Sequence, residues 1–150
     1  MNNLKSFEDI LRFAINEEQM AVGFYQDLAT QVVDFKAKTV LEQLARDEMR
    51  HAVILTTILE NKSFPFRNKS MVFLEEKMNE SMDIDDMQND IAKIITSAIK
   101  NEWDTAQMYK KMALNAENIE VSTLLINLAE EELKHKKSLE LELEFYKKSK

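Results

Sequence analysis

The chain contains one short pattern twice, and the second copy lies 84 residues after the first. The first copy includes Glu48 and His51, and the second includes Glu132 and His135. These are the only two histidines in the protein, and each follows a glutamate by three positions. Residues three apart in an α-helix lie on one face, so each pair can bind one ion from one side. An internal repeat of this kind predicts two similar helical halves.

The sequence favours long helices. Gly23 and Pro65 are the only glycine and the only proline among 150 residues, which leaves few positions for tight turns. Apolar residues recur at helical intervals along four segments. We expect Ser6, Asp34 and Asn118 to cap the first, second and fourth helices, because short polar side chains accept hydrogen bonds from the first free backbone N–H groups.

The periodicity also predicts where the helices begin and end. The first helix ends near Val32, and the third begins between residues 86 and 90. Residues 61–90 form a long connection that contains a short helix over 70–78. Residues 139–144 alternate as in a strand, but they continue a long helical pattern and have no predicted partner strand, so we assign them to the fourth helix.

These elements define the expected fold class. A chain of 150 residues suits one domain, here 1–150. Two similar hairpins, at about 6–61 and 90–145, with one long crossover between helices 2 and 3, predict an all-α antiparallel four-helix bundle.

Composition excludes several classes of function. The chain has no cysteine, which excludes disulfides, thiolate metal sites and thiol nucleophiles. A net charge of −7 argues against broad nucleic-acid binding. No segment has the length and hydropathy of a membrane span or the apolar core of a signal peptide, so we expect a cytoplasmic protein with no membrane partner.

Four glutamates and both histidines fall on the apolar faces of the predicted helices. They are Glu18, Glu48, His51, Glu102, Glu132 and His135. Burying four carboxylates is costly unless positive charge meets them, and no Lys or Arg lies on the same faces. Two divalent or trivalent metal ions would supply that charge. Carboxylate oxygens and imidazole nitrogens suit iron or manganese, and zinc also accepts them.

Glu17 is a rival to Glu18 as the ligand on the first helix. The apolar stripe through Ala14, Ala21 and Tyr25 favours Glu18. Glu18 also has a counterpart 84 residues later, at Glu102.

Further motifs accompany these six residues in both halves. The first half has Ala14-Ile15-Asn16-Glu17-Glu18, Phe24-Tyr25 and Leu44-Ala45, and the second half has Ala98-Ile99, Tyr109 and Leu128-Ala129. With these motifs and ligands, nearly the whole chain resembles the ferritin-like superfamily and, within it, the rubrerythrins. The resemblance implies a ferritin-like bundle in which the glutamates of helices 2 and 4 bridge two iron ions, with manganese or zinc as possible substitutes.

The resemblance also implies an activity. A rubrerythrin-like peroxidase or oxidoreductase would reduce hydrogen peroxide or dioxygen in oxidative-stress defence, as a homodimer served by an external rubredoxin or flavoprotein. Ferroxidation with iron storage or delivery is the first alternative. A structural metal-binding bundle without catalysis is the second.

Two departures from rubrerythrins bear on this expectation. The chain lacks their cysteine-rich iron domain. Where they carry a further glutamate, one turn after the ligand of the third helix, this chain has Thr105, and the repeat partner of Thr105 is Ala21. The site is therefore more symmetric, as in bacterioferritin or in erythrins without a rubredoxin domain.

Four residues have expected roles beside the ligands. Tyr25 and Tyr109 each follow a ligand glutamate by seven positions, which is two helical turns, and in similar bundles such a tyrosine donates to a ligand carboxylate. Asp47 and Glu131 each precede a ligand glutamate, and by resemblance they orient a histidine on another helix. We expect Trp103 to serve in packing or in an interface.

Overall fold

The computed structural model describes residues 7–61 and 91–148, and these residues form four α-helices. The helices are α1 (Phe7–Gln31), α2 (Phe35–Asn61), α3 (Ile91–Asn115) and α4 (Ile119–Lys148). The chain divides into two compact units, Met1–Phe64 and Pro65–Lys150, and each contains one helical pair. The predicted all-α class is confirmed.

The first unit is the hairpin of α1 and α2, which pack against each other. Helix α1 ends one residue before the predicted Val32. Asp34 caps α2 as predicted, because its Oδ2 accepts a hydrogen bond from the Ala37 N–H at 2.9 Å and its carbonyl accepts one from the Lys38 N–H at 3.0 Å. A linker of three residues, 32–34, makes the two helices antiparallel neighbours.

The second unit is the hairpin of α3 and α4. Asn118 caps α4 as predicted, since its Oδ1 accepts hydrogen bonds from the N–H groups of Glu120 at 2.8 Å and Val121 at 3.3 Å. The Ser122 hydroxyl donates to the Ala113 carbonyl at 3.0 Å, which joins the first turn of α4 to the last turns of α3.

The alternating residues near the carboxyl end lie within α4, so the helical assignment of 139–144 is confirmed. Three predictions lie outside the described residues: the cap Ser6, the start of the third helix before Ile91 and the short helix over 70–78. In the described ranges, no helix combines the length and apolar character that crossing a membrane requires.

Residues related by the internal repeat are buried at corresponding positions of the two hairpins. Buried core residues in the first hairpin have buried counterparts 84 positions later: Ile10 and Ile94, Ala14 and Ala98, Tyr25 and Tyr109, Leu28 and Met112, Leu44 and Leu128, and Leu55 and Leu139. Each large apolar side chain buried in this way stabilises the fold by about 1.5–3 kcal/mol. The repeated stripes set the rotation of each helix, and the candidate ligands lie on the same stripes.

Candidate metal centre

The first hairpin brings together Glu18 from α1 with Glu48 and His51 from α2. All three side chains are buried. The Nδ1 atom of His51 lies 3.2 Å from Glu18 Oε2 and 3.8 Å from Glu48 Oε1. One oxygen or nitrogen from each residue lies within 4.8 Å of those of the other two. We call this group the first triad.

The second hairpin repeats the arrangement with Glu102 from α3 and with Glu132 and His135 from α4. These side chains are also buried. The Nδ1 atom of His135 lies 3.5 Å from Glu102 Oε2 and 3.8 Å from Glu132 Oε2. The three residues again offer atoms within 4.8 Å of one another. We call this group the second triad.

The spacing within each triad fits ligands of one metal ion. Two ligand atoms about 2.0–2.2 Å from an ion, at angles near 90–110°, lie roughly 2.8–3.6 Å apart. The distances from histidine to the glutamate of the other helix, 3.2 and 3.5 Å, fall in this range. The 3.8 Å distances within a helix correspond to a wider angle at the ion. In both triads Nδ1 faces the carboxylates, so binding a metal there requires the proton on Nε2.

The charges of the triads also fit a pair of cations. Apart from two tyrosines, the described part of the chain buries seven polar or charged side chains, namely the six triad residues and Thr105. No Lys or Arg is among the seven. Four ionised carboxylates in such surroundings need about four compensating positive charges, which two divalent ions supply. The donor set of carboxylates and imidazoles suits iron, manganese or zinc.

Several predicted residues lie where the sequence placed them, although their roles stay predictions. Glu18 is buried and Glu17 is only half-buried, in agreement with the choice between them. Tyr25 and Tyr109 are buried, and the ring of Tyr25 contacts Phe24 edge-on with 5.2 Å between centroids.

Asp47 and Glu131 are half-buried beside their triads. Asp47 Oδ1 accepts a hydrogen bond from Gln43 Nε2 at 3.0 Å, on its own helix. Their expected action on a histidine of another helix is not tested by this contact and stays a prediction.

A difference between the hairpins escaped the sequence analysis. In the second hairpin, Lys136 Nζ lies 5.8 Å from the ring centroid of Trp103, a cation–π distance. The repeat places Ala52 and Gln19 at these positions in the first hairpin, where they line a groove of about 580 Å³ between α1 and α2. Comparing the two halves residue by residue would have shown the exchange of Lys for Ala.

The helices and triads define a class of protein: an all-α chain built from two hairpins, each with a buried Glu-Glu-His set. Comparison with known families places the chain within that class. The model of the ferritin-like domain matches residues 7–148. The chain therefore belongs to the ferritin-like domain family.

Two solved structures have a similar fold. A hypothetical protein from Pyrococcus furiosus superposes with a TM-score of 0.73 at 24% identity, over 93% of this chain and 89% of the other. A protein from Thermotoga maritima, named as a ferritin-like diiron-carboxylate protein, gives a TM-score of 0.68 at 20% identity, over 95% of each chain. No curated protein matches the chain at a significant level. At these identities the likeness shows the fold.

Proposed function

We propose that the chain is a non-haem di-iron oxidoreductase that reduces hydrogen peroxide, or dioxygen, with electrons from an external donor protein. The observation that carries the proposal is the pair of buried triads, each with two glutamates and one histidine. Family membership supports it, as does the name of the Thermotoga maritima protein.

The triads would hold the ions in equivalent ways. Glu18 and His51 would bind one ion, and Glu102 and His135 would bind the other. Glu48 would complete the ligand set of the first ion, and Glu132 would complete that of the second. The repeat of residue types and spacings supports such a pair, because each hairpin offers the same donors from the same helical positions.

The chain's own groups would serve three purposes. The carboxylates neutralise the cations, which offsets the cost of burying both. The small number of protein ligands leaves coordination positions open to a small oxidant. The apolar side chains around the triads, such as Leu44, Ala98 and Leu128, restrict access of water.

When bound, two ferrous ions would supply the two electrons that, with two protons, reduce one hydrogen peroxide to two waters. The O–O bond is the one that breaks, and the protons come from solvent. By the resemblance to rubrerythrins, an external protein of the rubredoxin or flavoprotein kind would return the electrons.

Anaerobic reconstitution with ferrous iron followed by stopped-flow mixing tests this proposal. We expect oxidation of both irons by one equivalent of peroxide, with a rate that differs from the rate with dioxygen. The matched control carries His51→Ala and His135→Ala, and it should show only the slow oxidation of free ferrous iron. Retention of many irons per chain would support storage instead, and two bound irons inert to both oxidants would contradict the proposal.

A further inference from the structure

The side of α2 that faces away from the first triad carries a row of surface residues, which we call the outer stripe. Its members, spaced three and four positions apart along one side of the helix, are Arg46, Met49, Val53, Thr56 and Glu60. Met49 and Val53 are apolar and more than half exposed. All members but Arg46 line the groove between α1 and α2. Exposed apolar side chains grouped beside a groove are typical of an interaction surface.

The two ends of the outer stripe carry opposite charges. Arg46 and Glu60 are both exposed, and each lies seven positions from Val53, which is about 10.5 Å along the helix. Arg46 Nη2 donates to Gln43 Oε1 at 2.8 Å on its own helix. Its guanidinium group has five N–H donors, so it can also bind a carboxylate of another molecule.

This arrangement is complementary to itself. If two copies of α2 cross in antiparallel directions at Val53, a two-fold axis passes through that residue, and each position before it faces the same position after it. Arg46 then faces Glu60 of the second copy, and this pair occurs twice. Val53 meets its own counterpart, and Met49 faces Thr57 of the second copy.

The second hairpin lacks this complementarity, and it provides an internal comparison. The residues 84 positions after the arginine, valine and glutamate of the outer stripe are Glu130, Lys137 and Glu144, all exposed. The same crossing would set Glu130 against Glu144 and Lys137 against itself, and like charges so placed repel each other. The triads recur in both hairpins, so metal binding does not account for the apolar, oppositely charged stripe of the first.

We propose that the outer stripe is the surface through which two copies of this chain form a symmetric dimer, with their α2 helices antiparallel and crossing at Val53. A second copy supplies the matching charges at both ends at once, together with an apolar centre. The outer stripe shares no residue with the triads, so the dimer goes beyond the proposed function and does not depend on it.

Sedimentation velocity of the whole chain over a range of concentrations, with zinc bound and with metal removed, tests this proposal. A monomer–dimer equilibrium is expected in both states. Val53→Lys sets two lysines against each other on the axis, so it should raise the dimer dissociation constant at least about tenfold. The matched control Lys137→Gln alters the corresponding exposed position of the second hairpin, and it should change that constant by less than about twofold.

A charge exchange tests the antiparallel pairing itself. Arg46→Glu and Glu60→Arg should each weaken the dimer, because each sets like charges against each other at both ends of the contact. The double variant Arg46→Glu/Glu60→Arg restores opposite charges, so its dissociation constant should return to within about threefold of the original. Far-UV circular dichroism and thermal unfolding of the same variants show whether each retains its helices.

The outcomes are distinct from those that test the proposed function. A chain that is monomeric at every concentration in both metal states would overturn the dimer and leave the outer stripe to another partner. A dimer that Val53→Lys does not weaken would overturn the choice of surface. Folded single charge variants whose defect the double variant does not repair would overturn the antiparallel pairing.

Discussion

The two hairpins keep the same triad but differ on the side of the helices that faces away from it. In the first hairpin, Gln19 and Ala52 line a groove whose wall includes Met49 and Val53, which are 51% and 60% exposed. In the second, Trp103 stands in place of Gln19, and Lys136, in place of Ala52, lies over its ring. The triad geometry is similar in both, so the outer face does not set the ligand positions.

The inner faces differ much less. Core residues and ligands match at the same offset, and the closest distances from histidine to glutamate are 3.2 and 3.5 Å. Among the residues next to the ligands, the exchange of Ala21 for Thr105 introduces the only added polar group in the buried set of the described helices. The comparison therefore predicts nearly equal metal positions with unequal surroundings.

The largest expected effect is that of metal on stability. Loading with a divalent ion at about a hundredfold excess over its dissociation constant should add about 2.7 kcal/mol per site to the free energy of unfolding. Thermal unfolding with and without a chelator measures this gain. An unfolding temperature that does not change on metal removal would contradict the account.

The next effect is that of removing one buried charge from either hairpin. Glu18→Gln and Glu102→Gln should each stabilise the metal-free chain, because each removes a buried carboxylate. Each should also reduce the gain from metal, and by a similar amount. If the stabilisation by metal differs between the two variants by more than about 1.4 kcal/mol, a tenfold difference in affinity, the two triads are not equivalent.

The helix caps should have a smaller effect. Asp34→Ala and Asn118→Ala should each lower the free energy of unfolding by about 1 kcal/mol, since each leaves first-turn N–H groups without their partner. The controls Asp34→Asn and Asn118→Asp keep an accepting oxygen, so urea unfolding should place them within a few tenths of the original chain. Alanine variants as stable as these controls would show that the caps contribute nothing.

The smallest effect concerns the outer faces. A double-mutant cycle of Trp103→Ala and Lys136→Ala should give a coupling free energy of about 0.5–1 kcal/mol for the cation–π contact. The matched cycle at Gln19 and Ala52, changed to Trp and Lys, should create coupling of similar size in the first hairpin. Zero coupling at Trp103 and Lys136 would show that their proximity adds no stability.

The sequence predicted the inner faces well, for a physical reason. Burial imposes helical periodicity, so charged residues on the same helical face as Leu44 or Ala98 stood out. The apolar stripe of the first helix favoured Glu18 over Glu17. The caps Asp34 and Asn118 were also predictable, because capping is local chemistry.

The outer faces were not predictable in the same way. Whether Lys136 extends into solvent or lies over Trp103 depends on side-chain packing across two helices, which periodicity does not describe. The sequence identified Thr105 only by the carboxylate that it replaces.

The number of metal ions held per chain tests the central claim most directly. Equilibrium dialysis against ferrous iron without oxygen, followed by elemental analysis, should give two ions per chain, as the two triads require. His51→Ala and His135→Ala should lower the count by similar amounts, and the double variant should hold close to none. A double variant that keeps the full count, or an unaltered chain that binds no metal, would contradict the assignment of the triads as a metal centre.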